Sequence, residues 1–138
     1  MKTTIQSIND LSSFARAYLL CAIWLFDENA PFGDYSISGR FEEIAPKLAP
    51  ETLLRAQKDC LTFIQNNAGS LRLSGLSDEQ AGHSFWLSRN GHGSGFSDRI
   101  DLSASELEQK VCELLQENSK RFREVDLYAG GDGLIYMS

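Results

Sequence analysis

Both histidines of the chain, His83 and His92, fall in one run, AGHSFWLSRNGHGSGF at 81–96, with Arg89, three serines and four glycines. A serine, a histidine and a carboxylate can form a nucleophile–base pair: Ser88 or Ser94 attacks, His92 takes the proton, and Asp98 or Asp132 orients it. The flanks argue against this chemistry, because neither serine sits in a Gly-x-Ser-x-Gly elbow and the spacing defines no oxyanion hole. Gly91-His92-Gly93-Ser94-Gly95 offers backbone amides to a phosphate, as glycine-rich nests do. It has neither the Gly-Lys-Ser/Thr of a P-loop nor the spacing and following helix of a dinucleotide fingerprint. A zinc or iron site would have to recruit Asp98, Asp101 or a distant carboxylate, and no recognised ligand spacing is present. We therefore expect no catalytic residue, no metal and no cofactor.

The three cysteines, Cys21, Cys60 and Cys112, are far apart and fall in segments that read as helix. They are expected on apolar faces, as thiols in a reducing cytoplasm. Nineteen acidic residues against thirteen basic ones give a net charge of −6. That balance opposes direct nucleic-acid binding, which needs a basic footprint. The acid concentrates at 27–43, where Asp27, Glu28, Asp34, Glu42 and Glu43 face Arg40 alone. This stretch is the candidate for steering a basic partner. The apolar stretch Tyr18 to Phe26 is far short of the roughly 20 residues that span a bilayer, so no membrane association is expected.

The elements that would position these groups follow from period and punctuation. Asn9-Asp10 offers an N-cap to a first helix in which Leu11, Phe14, Ala15, Tyr18, Cys21, Ala22 and Leu25 recur at three- and four-residue steps. Leu19, Leu20, Ile23, Trp24 and Phe26 add apolar surface on its other side, which predicts a helix covered on more than one face. Asp27 to Gly39 reads as a loop. Pro50 and Glu51 suit the start of a second helix, with Leu53, Leu54, Ala56, Cys60, Leu61 and Ile64 as its buried stripe and Asn66-Asn67-Ala68-Gly69 as its end. Leu71 to Gly75 fits no element uniquely.

In His83 to Arg89 the aromatic and aliphatic residues alternate, and Asn90-Gly91 is the strongest short hairpin signal. The expectation is a hairpin pairing 83–89 with 92–97, in which Arg89 faces His92 and Phe85 faces Phe96. Trp86 then lies on the opposite face, where an exposed tryptophan beside Arg89 and His92 would be a protein-binding hot spot. Ser103 and Glu106 form a capping-box pattern ahead of a third helix carrying Leu107, Val111, Leu114, Leu115 and Phe122. EVDLY and LIYM flanking AGGDG predict a second hairpin. The expected fold class is α+β, one domain over 1–138, with three helices and a small antiparallel sheet in the order α-α-β-β-α-β-β.

The run AGHSFWLSRNGHGSGFSDR, together with DLYAGGDGLIY at 126–136, resembles a family of small uncharacterised proteins of tailed phages and prophages. Ser84 stands where that family has aspartate, Ser88 where threonine is usual, Ser97 where an aromatic is usual, and Gly131 at one acidic turn position. The resemblance implies a mobile-element origin and a setting in the host cytoplasm. With the charge pattern, it leads to the expectation of an accessory protein that acts by non-catalytic binding to a host protein or nucleoprotein complex. An inhibitor of an anti-phage system, CRISPR or restriction, fits that expectation. The alternative is a small-ligand or nucleotide-binding enzyme using Arg89, His92 and the glycine-rich hairpin. Oligomeric state is not fixed by the sequence.

Overall fold

A computed structural model describes residues 5–28, 44–91, 95–99 and 105–138. A 3₁₀ turn at Ile8–Asp10 leads into α1 (Ser13–Glu28), and a second turn at Ala45–Lys47 leads into α2 (Pro50–Asn66) and the short α3 (Ala68–Ser74). Then come α4 (Asp78–Arg89), a 3₁₀ turn at Phe96–Arg99, α5 (Glu106–Lys120), and strands β1 (Leu127–Ala129) and β2 (Ile135–Met137).

The expected class and order, three helices in α-α-β-β-α-β-β, are therefore wrong: the described residues hold five helices and one two-stranded antiparallel sheet. The error lies at 83–97. Ser77 starts a helix there with a full capping box, its hydroxyl accepting from the Gln80 amide while the Gln80 side chain accepts from the Ser77 amide. Asp78 and Glu79 in the first turn and Arg89 in the last complement the helix dipole. Asn90-Gly91 ends this helix instead of turning a hairpin. A type I′ turn needs positive φ at both residues, yet Asn90 has φ −97° and only Gly91 is left-handed, at +66°. One left-handed residue just past the cap is how a helix stops. Arg89 thus lies in a helix and not in a strand, and His92, expected opposite it, lies outside the described residues.

The other elements form near their expected places, with local shifts. Ser12 caps α1, its hydroxyl accepting from the Ala15 amide, and Asn9-Asp10 belong to the preceding turn, which Ser7 caps. Leu71 to Ser74 is helix. The third predicted helix is α5, capped by Ser105 from the Glu108 amide, while Ser103 lies outside the described residues. The β1–β2 hairpin pairs Leu127 with Met137, Tyr128 with Tyr136 and Ala129 with Ile135. Gly131, Asp132 and Gly133 make its loop, with Gly133 left-handed at φ +82°.

α1 and α4 form the centre of the packing. Gly82 lets them touch, since a Cβ there would fall on the Phe14 carbonyl oxygen. Around this crossing Phe63 and Phe85 stack at 4.2 Å, Phe122 meets Phe85 edge-on at 5.0 Å, and Trp86 meets Tyr18 edge-on at 5.1 Å. Each such pair adds about 0.5–1.5 kcal/mol beyond the area it buries. α2 contributes Leu53, Ala56, Cys60 and Phe63, whereas Leu54 and Leu61, expected in its buried stripe, are half-exposed. The N-terminal end of α2 covers the outer edge of β2: the Ala49 amide and Thr52 hydroxyl donate to the Ile135 carbonyl and Arg55 donates to that of Met137. Among the described residues no helix is long and apolar enough to cross a membrane.

Candidate functional site

Ser84, Ser88, Arg89 and Asn90, polar residues of the 81–96 run, are buried. α4 carries Arg89 in its last turn, on the side facing α1 and α2, and leaves it 3% exposed. Its Nε donates to the Arg123 carbonyl at 2.8 Å and its Nη2 to the Phe122 carbonyl at 2.7 Å. Its Nη1 donates to Asp59 Oδ2 at 2.9 Å and to the Tyr18 hydroxyl at 2.8 Å. The guanidinium lies 5.8 Å from the Phe85 ring centre and 5.5 Å from that of Phe122. With four hydrogen bonds from five N–H donors and aromatic rings at its faces, this group is committed to the fold. Asp59 supplies the balancing charge from a one-fifth exposed position, with Arg55 Nε 3.8 Å from the same Oδ2. Burial raises the Tyr18 hydroxyl well above its ordinary range, and the opposing pull of the Arg89 charge is smaller. Tyr18 therefore stays a neutral partner at any physiological pH.

The neighbouring side chains do the same work at shorter range. Ser88, fully buried, donates to Gln116 Oε1 at 2.6 Å and accepts from the Phe96 amide at 3.0 Å, joining α4 to α5 and to the 3₁₀ turn. Asn90 donates to the Trp86 carbonyl and accepts from the Val125 amide at 2.8 Å, which fixes where the chain enters β1. Replacing Ser88 by alanine strands the Phe96 amide in a dry place, and the expected loss is about 1–2 kcal/mol. Urea unfolding of Ser88→Ala measures it, and a midpoint equal to the parent's would show that this hydroxyl carries no load.

Of the residues expected in a binding surface, Trp86 and Arg89 are thus interior, each 3% exposed. His92, Asp34, Glu42 and Glu43 lie outside the described residues. Asp27 and Glu28 occupy the last turn of α1. The structure brings Trp86 and Arg89 into one core and Asp27 and Glu28 onto one helix end. The Arg89 guanidinium, which the reading as a ligand-binding enzyme would use, makes these internal hydrogen bonds. His83 is exposed, with Nε2 4.0 Å from Cys21 Sγ.

All three cysteines are buried thiols. Burial pushes Cys21 up to about 12 from an ordinary 9.0 and also raises Cys60, where the Asp59 charge adds to it. That leaves Cys21 far less thiolate near neutral pH than an exposed cysteine, and the thiolate is the reactive form. Iodoacetamide at pH 8 should accordingly label native protein slowly and urea-unfolded protein at all three positions. Rapid native labelling of Cys21, read by mass spectrometry, would contradict this environment.

A residue that the sequence reading placed under cover is exposed. Trp24 is 52% accessible on α1. It lies off the stripe of Phe14, Tyr18 and Cys21, and it precedes Asp27 and Glu28 by three and four residues, so the three positions share a helix face. Its position off that stripe was readable in the sequence.

No family model, no curated protein and no solved structure matches the chain.

Proposed function

We propose that the protein acts by non-catalytic binding to another protein, through the end of α1 where Trp24 stands exposed on the same face as Asp27 and Glu28. The observation that carries this reading is Trp24 itself, a large aromatic residue left 52% accessible in a chain that buries its other tryptophan almost completely. Tryptophan is enriched among the residues that dominate binding energy, and flanking charge steers encounter with a partner of opposite sign. The partner is a protein with an apolar pocket rimmed by Lys or Arg. The resemblance to phage and prophage proteins extends the proposal to its setting: a mobile-element accessory protein in the host cytoplasm that inhibits an anti-phage complex of the CRISPR or restriction type.

The test is phage survival in hosts that carry one active defence system each. Expression of the chain should raise survival in at least one host, and Trp24→Ala should remove the effect. Truncating a residue worth about 2 kcal/mol weakens binding roughly thirtyfold. Asp27→Lys with Glu28→Lys should also weaken it, more at low salt than at high salt. Both variants should melt like the parent. Failure to protect any host defeats the setting, and full protection by a folded Trp24→Ala variant defeats the binding surface.

A further inference from the structure

The outer face of the β1–β2 hairpin carries a second exposed aromatic surface, separate in sequence from Trp24. Tyr128 and Tyr136 are cross-strand partners whose rings stack at 5.8 Å with 29° between their planes, and Tyr128 is 47% exposed. The pair is held rigidly. The Tyr136 hydroxyl donates to Asp132 Oδ2, and Asp132 Oδ1 accepts from the Leu134 amide at 3.0 Å. Gly130 lets the Tyr136 ring lie against the turn, since a Cβ at that position would come within 2.6 Å of the ring. The hydrogen bond from Tyr136 holds Asp132 below the usual carboxylate range, and the same bond pushes Tyr136 up to about 12, with the charges of Asp132 and Glu51 adding to the shift. Asp132 is thus ionised and Tyr136 neutral at physiological pH.

An aromatic strip edged by the Asp132 carboxylate combines the two features that attract an organic cation: the negative face of a π-system and negative charge beside it. We infer that this hairpin face docks an arginine- or lysine-bearing segment of a protein partner, the cation lying on the exposed ring of the Tyr128–Tyr136 pair with the Asp132 carboxylate at the end of the strip. The fixed rings and carboxylate hold the surface ready, so little ordering accompanies binding. An apolar segment would make no use of the Asp132 charge, and a phosphate would meet it as a like charge.

The probe is N-acetyl-arginine amide, with the isosteric neutral N-acetyl-citrulline amide as control, titrated into the full chain while the tyrosine ring signals are followed by NMR. The expected result is a saturable shift of the Tyr128 and Tyr136 signals with the arginine compound, at least about tenfold weaker with the citrulline compound and also in Tyr128→Ala. Trp24→Ala should bind the probe unchanged, which separates this face from the α1 surface. Equal response to both compounds, no response at these rings, or a Tyr136 response that survives Tyr128→Ala would overturn the assignment.

Discussion

Arg89→Met should destabilise the protein by about 3–5 kcal/mol, the loss typical of removing one partner from a buried ion pair. A small domain has only about 5–15 kcal/mol in total, so the variant is expected to be marginal or unfolded at 37 °C. Methionine fills much of the arginine's volume, which keeps cavity formation out of the comparison. What is lost is the charge opposite Asp59 and the donors to the carbonyls of Phe122 and Arg123 and to the Tyr18 hydroxyl. Arg89→Lys should recover only part of the loss, because one ammonium cannot reach acceptors spread around a planar fork. Asp59→Asn should cost less than Arg89→Met, since Asp59 is one-fifth open to water. Denaturant midpoints for the three variants give the order. A loss below about 1 kcal/mol for Arg89→Met would show that the hub is not what fastens α4.

Gly82→Ala should cost about 2–3 kcal/mol. Two effects oppose each other: alanine is favoured over glycine inside a helix by about 1 kcal/mol, while the added methyl collides with the Phe14 carbonyl oxygen. The collision wins because its target is backbone in the first turn of α1, and neither helix can yield without disturbing the ring cluster of Phe14, Phe63 and Phe85. Thermal melting decides the sign. A raised melting temperature would mean that the helices part easily and that intrinsic propensity governs the site.

These two residues also show where the sequence could be read and where it could not. α1, α2 and the β1–β2 hairpin announce themselves through three- and four-residue periodicity, Pro50 at a helix start, and two short apolar runs around AGGDG. α4 does not, because its apolar residues sit at 85–87 in a row and a short run fits a buried strand as well as a buried helix. Asn90-Gly91 was no arbiter, since a hairpin turn and a helix end both want a left-handed glycine. The deciding signal was Ser77 to Gln80, a capping box of the same kind as the one noticed at Ser103 to Glu106. The interior role of Arg89 was not legible at all: it depends on Asp59 and Tyr18, 30 and 71 residues away. Periodicity on α2 picked the right helix but placed Leu54 and Leu61 on its buried side and overlooked Phe63.

Synthesis on the ribosome sets a timetable for the β2 edge. Thr52 and Ile135 are 83 residues apart, and the bond between them helps close the sheet against α2. At about 5–20 residues per second, α2 emerges roughly 4–17 s before the strand it must cover. Phe85 follows Phe63 by 22 residues but Phe122 follows it by 59, so for much of that interval the nascent α2 presents an incompletely covered apolar face that a chaperone can find. Formation of the finished core is thereby deferred until β2 has been made, and a ribosome stalled at Glu124 should hold a chain that proteases cut within α2.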